Sequence, residues 1–310
     1  MMAATMIVGS RGQDGLILQE LLKIKEINVI QINRSQIVHP NNEIQSTVSE
    51  EHIKAVINNY QINEVYFLAS ISASASNAKN KIKIERSSEE LDLLKLLMYI
   101  LNEFKTKPGK VKIFIASSAL IFGNPKLIPQ NEACAISPIE NYSLFKSLIH
   151  SIVDYYRVNH NLKIILGILY PHESKHRKPE YLFRRIVDAA QLNFLGSMQK
   201  LEISNLNFTR EWNCAYQVML ACVKLMELEC FENFVVGSGV QYNVEHACEL
   251  VFGHFGLDSR DYVLSKNSPL IMRSPNLIAN PKKLQETIAF VPDGNLKFLI
   301  ERNYPRTVDN

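Results

Sequence analysis

The glycine-rich stretch TMIVGSRGQDGLIL, residues 5–18, constrains the fold of this 310-residue chain more than any other feature. Thr5–Val8 are short, apolar and partly β-branched, which predicts a buried strand. Three glycines follow at a spacing of three residues, namely Gly9, Gly12 and Gly15. Apolar residues at helical spacing occupy Leu16–Leu22. A strand, a glycine-rich turn and a helix in this order predict a phosphate-binding turn for a dinucleotide, and an ordinary glycine turn before a helix is the alternative.

Each glycine has a physical reason in such a turn. Gly9 allows the tight bend, Gly12 lets the backbone approach a pyrophosphate, and Gly15 lets the helix pack closely on the strand. The helix N-terminus then offers unpaired N–H groups and a partial positive charge to an anion. The residues expected to contact the cofactor here are Gly9, Arg11, Gly12, Gln13, Asp14 and Gly15.

Composition excludes several other classes of protein. The formal net charge is only +3, from 34 Lys and Arg against 31 Asp and Glu, which does not favour nucleic-acid binding. No apolar run reaches the length of a membrane span, and the N-terminus lacks a signal-peptide pattern, so we expect a cytoplasmic protein. The five cysteines include no C-x-x-C pair, which predicts reduced thiols and no metal site.

Strand and helix patterns alternate along the first half of the chain. Predicted strands lie at Val29–Ile32, Glu64–Ala69, Lys110–Ser117 and Lys163–Tyr170, and predicted helices at His52–Tyr60, Ser87–Lys105 and Tyr142–Asn161. Residues 36–50 give no clear strand. This alternation predicts an α/β fold with a Rossmann-type, doubly wound parallel sheet and right-handed crossovers.

After Tyr170 the pattern changes, and a basic, polar stretch precedes further helices. Predicted elements are a helix at Arg210–Glu229, a strand at Phe234–Gly237 and a helix at Val244–Phe255. We therefore divide the chain into a dinucleotide-binding domain at 1–170 and a smaller C-terminal substrate-binding lobe at 171–310. Some elements of the second part are expected to return to the main sheet.

The ends of two predicted strands bear on the cofactor. Arg34 follows the second strand, where an acidic residue would take the ribose 2′-hydroxyl of NAD and an arginine the 2′-phosphate of NADP. We therefore expect NADP rather than NAD, the alternative being that Arg34 is a solvated loop residue. After the third strand, Leu68, Ala69 and Ser70 are expected to pass close to the cofactor.

Tyr142 and Lys146 form a Y-x-x-x-K pair at the start of a predicted helix, with Ser118 at a strand end before them. Residues four apart share a helix face, so the ammonium is expected to lie beside the phenol and lower its pKa. With Ser118 they would relay a proton during hydride transfer, unless Tyr142 is only a core aromatic. A second copy at Tyr262 and Lys266 follows no dinucleotide strand and is set aside.

With these residues in order, the chain resembles the extended short-chain dehydrogenase/reductases of the epimerase/dehydratase superfamily, and among them the GDP-mannose 4,6-dehydratases. The motifs that carry the resemblance are GSRGQDG (9–15), PHES (171–174) and SNLNFTREWNCA (204–215), followed by VVGSGVQYNVEHACELVFGHFGLD (235–258) and NPKKLQETIAF (280–290). The resemblance implies a nucleotide-sugar lobe that binds a GDP-sugar through Glu173, Arg177, Arg210 and Arg273. It also implies a homodimer or homotetramer packed through the helices near 87–105 and 142–161.

Several positions depart from the family pattern. The family's glutamate two residues beyond the hydroxyl residue is Leu120 here, and leucine cannot move the protons that dehydration requires. Glu132 is a conceivable substitute. The family asparagine before H-E-S is Pro171, the family lysine aligns with Phe194, and the acidic residue near the adenine falls around Ser46.

Three functions stay open at this point. The first is an NADP(H)-dependent enzyme that moves hydride at carbon 4 of a GDP-hexose, as a 4-keto reductase, a 4-dehydrogenase or an epimerase. The second is a GDP-mannose 4,6-dehydratase with a relocated acid/base. The third is a non-catalytic paralogue that binds nucleotide sugars.

Overall fold

Among the described residues, apolar strands that alternate with amphipathic helices build a central sheet of eight strands. The structure is a computed structural model that describes residues 2–33, 35–45, 48–71, 83–106, 109–266 and 276–306, with backbone only for 83–88. Arg34, Ser46 and Arg273 lie outside the described residues.

The strands of the described chain are β1 Ala3–Val8, β2 Val29–Ile32, β3 Ile37–Val38, β4 Ile44–Gln45, β5 Gln61–Phe67, β6 Lys112–Ser118, β7 Lys163–Leu169, β8 His172–Glu173, β9 Leu201–Ile203, β10 Thr209–Glu211, β11 Asn213–Cys214, β12 Asn233–Val236, β13 Gln241–Asn243 and β14 Val263–Ser265. The helices are α1 Gln13–Ile24, α2 Glu50–Asn59, α3 Lys83–Lys105, α4 Asn141–His160, α5 Leu182–Phe194, α6 Ala215–Met226, α7 Val244–His254, α8 Lys282–Ile288 and α9 Leu296–Asn303. Short 3₁₀ helices occupy Ala119–Phe122 and Ser259–Asp261.

The main sheet has the order β12-β7-β6-β5-β1-β2-β3-β4. Its strands pair in parallel from β12 to β2, and only β3 and β4 are antiparallel. The chain moves outward in one direction from β1 through β2 and in the other from β5 through β7. This reversal between β1 and β5 is the position where parallel α/β sheets bind ligands, outside the carboxyl ends of the strands. The predicted doubly wound fold is confirmed.

Helices cover both faces of the sheet. The core on one face includes Ile53, Leu97 and Ile149 from α2, α3 and α4. On the other face, α1 and α6 pack together through residues such as Leu18 and Met219. Both α6 and the edge strand β12 come from the part of the chain after residue 170, so that part completes the main sheet and its cover.

The remaining elements form a lobe around α5, α7 and α9, with Trp212 buried at its centre. Here the predicted helix at Arg210–Glu229 is wrong at its start. Arg210 lies on β10, paired with Tyr242 of β13, and the helix begins only at Ala215. Pairing with β13, about 30 residues further along the chain, decides the conformation of this segment. The helical spacing of apolar residues in the sequence cannot detect such a pairing.

All five cysteines are free, and three of them are buried. In the part of the chain that the structure describes, none of the helices combines the length and the apolar character that crossing a membrane requires.

Candidate active site

A cavity of about 960 Å³ opens at the carboxyl ends of the sheet strands and extends to the lobe. It collects every predicted site residue that the structure describes: Gly9, Arg11, Gly12, Gln13, Asp14, Gly15, Leu68, Ala69, Ser70, Ser118, Tyr142, Lys146, Glu173, Arg177 and Arg210. The predicted residues Arg34 and Arg273 lie outside the described residues.

The glycine turn forms one wall of this cavity because no side chain fits there. Gly9 has φ +95°, and a Cβ on it would lie 2.7 Å from the Ala69 nitrogen. A Cβ on Gly15 would lie 2.4 Å from the Gly9 carbonyl oxygen. Gly12, the N-cap of α1, supplies no side-chain cap, so the first-turn N–H groups stay available to an anion. These features fit a dinucleotide pyrophosphate at this helix end.

The side chains of Gln13 and Asp14 turn towards the segment that follows β7. Gln13 donates to the His172 carbonyl at 3.2 Å and accepts from Ser174 at 3.0 Å. The carboxylate of Asp14 lies 2.9 Å from His172 Nε2. Burial raises the pKa of Asp14, but His172 and Arg177 lower it more, to about 2. The backbone of the turn thus faces the cavity. The side chains of Gln13 and Asp14 hold the turn against His172 and Ser174 by hydrogen bonds.

Tyr142, Lys146 and Ser118 converge on the cavity, but not with the expected electrostatics. Burial raises the pKa of Tyr142, and the hydroxyls of Ser70 and Ser118 lower it only in part. Lys146 is buried, and its ammonium donates to the Ala116 carbonyl at 2.7 Å. Burial lowers the pKa of Lys146 to about 8. The expectation that Lys146 depresses the pKa of the phenol is therefore wrong for this structure, because burial dominates.

The buried pair of His150 and Ser117 was not predicted from the sequence. His150, one turn beyond Lys146 on α4, lies 2.9 Å from the Ser117 hydroxyl through Nε2. Burial, with repulsion from Arg157 and Lys146, lowers the pKa of His150 to about 4. Its four-residue spacing from Lys146 was the only sequence signal for this pair. His150 is consequently neutral at physiological pH.

The lobe side of the cavity carries two half-buried arginines. Arg177 donates to Glu173 at 2.7 Å and stacks on the Tyr181 ring. Burial lowers the pKa of Arg210 and attraction to Glu173 opposes this shift; the guanidinium lies 5.3 Å from the Phe208 ring centroid. The described lining holds four carboxylates against six Lys and Arg side chains. The cavity also reaches Lys178 and Arg185, members of the basic stretch after residue 170 that were not singled out.

The departures from the family pattern also have definite places. Leu120 and Pro171 line the cavity. Glu132 does not; its carboxylate accepts from the Val235 backbone at 2.7 Å. Phe194 packs near Phe255 and is likewise absent from the lining.

The second Y-x-x-x-K copy also lies off the cavity. Lys266 pairs with Glu202 at 2.7 Å, and Tyr262 stacks on Phe252. Neither residue lines the cavity, in keeping with the decision to set this copy aside.

Comparison with known proteins gives the same family at the level of sequence. The model of the GDP-mannose 4,6 dehydratase family matches residues 6–301. GDP-mannose 4,6 dehydratase 2 from Caenorhabditis elegans is 27% identical over 327 residues, which cover 93% of this chain and 84% of the relative. Its human counterpart is 26% identical over 272 residues, 81% of this chain and 72% of the relative.

Solved structures are similar in fold at lower identity. UDP-glucose 4-epimerase from Brucella ovis, in complex with NAD, superposes with a TM-score of 0.79 at 15% identity and 98% coverage of both chains. UDP-glucuronic acid 4-epimerase from Bacillus cereus, in complex with UDP-glucuronic acid and NAD, gives 0.78 at 17% identity, again covering 98% of both. At such identities the likeness establishes the fold.

Proposed function

The chain belongs to the GDP-mannose 4,6-dehydratase family, and is thus an enzyme of nucleotide-sugar chemistry; from this premise we propose that it transfers hydride at carbon 4 of a GDP-hexose with NADP(H). The favoured direction is reduction of a 4-keto sugar. Oxidation of a 4-hydroxyl, or epimerisation by oxidation and reduction in turn, would use the same residues.

The observation that carries this proposal is the state of the carboxylates on the described lining. Asp14 and Glu173 are held in ion pairs with His172 and Arg177. Glu140 belongs to the capping box at the start of α4, and Glu180 also has a partner. Leu120 occupies the wall two residues after Ser118. Elimination of water needs a positioned acid/base, whereas ketone reduction needs only a proton donor for the oxygen.

Tyr142 is suited to be that donor. Because burial raises its pKa, the phenol carries its proton at neutral pH. Ser118 would hold the same sugar oxygen by a hydrogen bond, and Lys146, on the same face of α4, is held by its hydrogen bond to the Ala116 carbonyl. NADPH, when bound along the glycine turn, supplies the hydride to carbon 4. The phenol proton goes to the oxygen, giving the alcohol.

The substrate's diphosphate would bind on the lobe side. Among the described residues, Arg210 has no carboxylate within ion-pair distance, and its pKa shift reflects burial of the charge. A half-buried guanidinium in this state favours bidentate binding of a phosphate group. Arg273 is proposed, from the sequence alone, to help bind the diphosphate. The choice of NADP likewise rests on Arg34 as a sequence prediction.

Dehydration remains a second candidate, favoured by the family match over residues 6–301. Glu140, which lines the cavity two residues before Tyr142, would then be the acid/base instead of Glu132. Glu140→Gln should in that case abolish water loss and spare NADP binding.

Two incubations separate these functions. GDP-mannose with NADP, followed by mass spectrometry, reports loss of one water; a 4-keto-6-deoxy GDP-sugar with NADPH, followed by nicotinamide absorbance, reports reduction. NADPH consumption without water loss is expected. Water loss from GDP-mannose would contradict the proposal in favour of the dehydratase. If neither incubation gives a reaction but calorimetry shows that GDP-sugars bind, the non-catalytic paralogue would be favoured.

Arg34→Ala tests the choice of cofactor. Loss of the 2′-phosphate contact should weaken NADP binding by about tenfold or more while NAD binding changes little. Calorimetric titration of both dinucleotides gives the answer. Equal losses for NADP and NAD would remove the basis for NADP.

A further inference from the structure

The ring of His172 lies between two hydrogen-bond acceptors. Its Nε2 is 2.9 Å from a carboxylate oxygen of Asp14, and its Nδ1 is 2.7 Å from the carbonyl oxygen of Tyr170. A carbonyl cannot donate, and the carboxylate of Asp14 is ionised at neutral pH. Neutral imidazole carries one N–H and can satisfy one of these acceptors. Both contacts together require an imidazole with two N–H groups.

The charged groups around the ring favour the same state. Burial disfavours a charge on His172, and Arg177 repels one, but attraction to Asp14 outweighs both, so that the pKa of His172 is raised. Arg177 is in turn occupied by Glu173 and by the His172 carbonyl. Asp14 is therefore the group that holds the proton on His172.

We propose that His172 is a buried imidazolium that cancels the charge of Asp14 at the phosphate-binding end of α1. This inference rests on the dinucleotide site of the proposed function. Asp14 stands in the first turn of α1, whose N–H groups and dipole favour an anion. An unpaired carboxylate there would oppose the pyrophosphate. His172 thus acts through Asp14, as a positioning residue for the cofactor.

Protonation of His172 changes the net charge where the glycine turn meets the lobe. Asp14 and Glu173 contribute two negative charges; Arg177, Arg210 and protonated His172 contribute three positive ones. The group then has one excess positive charge for the phosphates of two ligands. With neutral His172 the two signs are equal in number, and Asp14 loses its ion-pair partner His172 beside the cofactor.

Two single substitutions distinguish this electrostatic role from a simple hydrogen-bonded contact. His172→Gln removes the cation and should weaken NADP binding on the order of tenfold to a hundredfold. Asp14→Asn removes the carboxylate and should make NADP binding tighter. Calorimetry at neutral pH measures both, with thermal unfolding to show that each variant is folded. If both substitutions weaken binding alike, the contact is only structural and the proposal fails.

The protonation state is also open to direct measurement without any ligand. Protein labelled with ¹⁵N-histidine is observed by NMR at pH 7.5, and Asp14→Asn identifies the His172 signals by their shift. Two protonated ring nitrogens are expected in the wild type; a single neutral tautomer would overturn the proposal. This result does not depend on His172→Gln folding. If the wild type binds no NADP, the cofactor assignment fails separately from the imidazolium.

Discussion

Tyr142 is the residue on which the proposed chemistry depends most. Tyr142→Phe removes the proton donor and should lower turnover by about 10²- to 10⁴-fold, with NADP(H) and GDP-sugar binding retained. Tyr262→Phe is the matched control, because Tyr262 stacks on Phe252 and does not line the cavity. Steady-state rates and calorimetry on both variants check this. Full activity of Tyr142→Phe would remove it from the reaction.

His150 predicts a dependence of stability on pH. Its pKa is about 4 in the folded protein, below the unfolded value of 6.5, so between these values only the unfolded chain takes up the proton. The free energy of unfolding should therefore fall as the pH drops from 6.5 to 4, by at most about 3 kcal/mol. Above pH 6.5 His150 contributes no such dependence.

Urea titrations across this pH range measure the effect. The double variant Ser117→Ala/His150→Leu removes both polar partners at once, so that no buried hydroxyl is left unpaired. It should lose less stability between pH 6.5 and pH 4 than the wild type does. An identical loss in both proteins would assign the titration to other groups.

For single residues, the sequence predicts contacts between positions on one element or motif. It does not predict contacts between distant positions that only the fold brings together. Tyr142 and Lys146 are four apart on one helix, so their common face follows from periodicity. Asp14 and His172 are 158 positions apart, and their contact depends on how the turn meets the segment after β7. The effect of burial on Tyr142 was missed for the same reason, since burial is a property of the whole fold.

Two glycines inside helices show how an element depends on its surroundings. Gly15→Ala would place a Cβ against the Gly9 carbonyl and the Ser10 backbone, at 2.4 and 2.7 Å. We expect a loss of about 1–3 kcal/mol in stability, with weaker NADP binding. Gly253→Ala on α7 is the control, because no atom of the described residues lies within 4 Å of a Cβ built there. It should gain about 0.5–1 kcal/mol from helix propensity.

Thermal unfolding of both variants gives the comparison. Opposite signs are expected, although both glycines lie within helices. A stabilised Gly15→Ala protein would show that α1 can move away from the turn, and would weaken the argument for a close-packed phosphate site.

Elements with a clear period were predictable and short ones were not. β2 occupies the predicted Val29–Ile32, and β7 ends one residue before its predicted limit. β3 and β4 have two residues each, too few to show an alternation, and they form only by pairing with each other and with β2. Arg210 fell into a predicted helix because β10 is three residues long and takes its conformation from β13.

For the whole molecule, the exposed faces of α3 and α4 predict self-association. Leu144, Leu148, Tyr155 and Val158 form an exposed stripe on α4, and α3 exposes Leu91 and Met98 beside it. A contiguous apolar surface of this kind marks an interface. We propose that it joins two copies of the chain, in line with the family resemblance.

Leu148→Glu tests this interface. A charge in the centre of the stripe should convert the protein to monomers, as measured by analytical ultracentrifugation. Ile24→Glu, at an isolated exposed position on α1, should leave the oligomer intact. A monomeric wild type would contradict the proposal at once.

The edge strand β12 has a consequence for synthesis of the protein. It pairs with β7 through residues 233–236, 67 positions further along the chain, and α6 packs on α1 from about 200 positions away. While the ribosome is still making the intervening segment, the edge of β7 and the apolar face of α1 have no partners. At about 5–20 residues per second, the nascent chain spends several seconds in that state. During this interval, before β12 is added, a chaperone that binds exposed strand edges could bind the edge of β7.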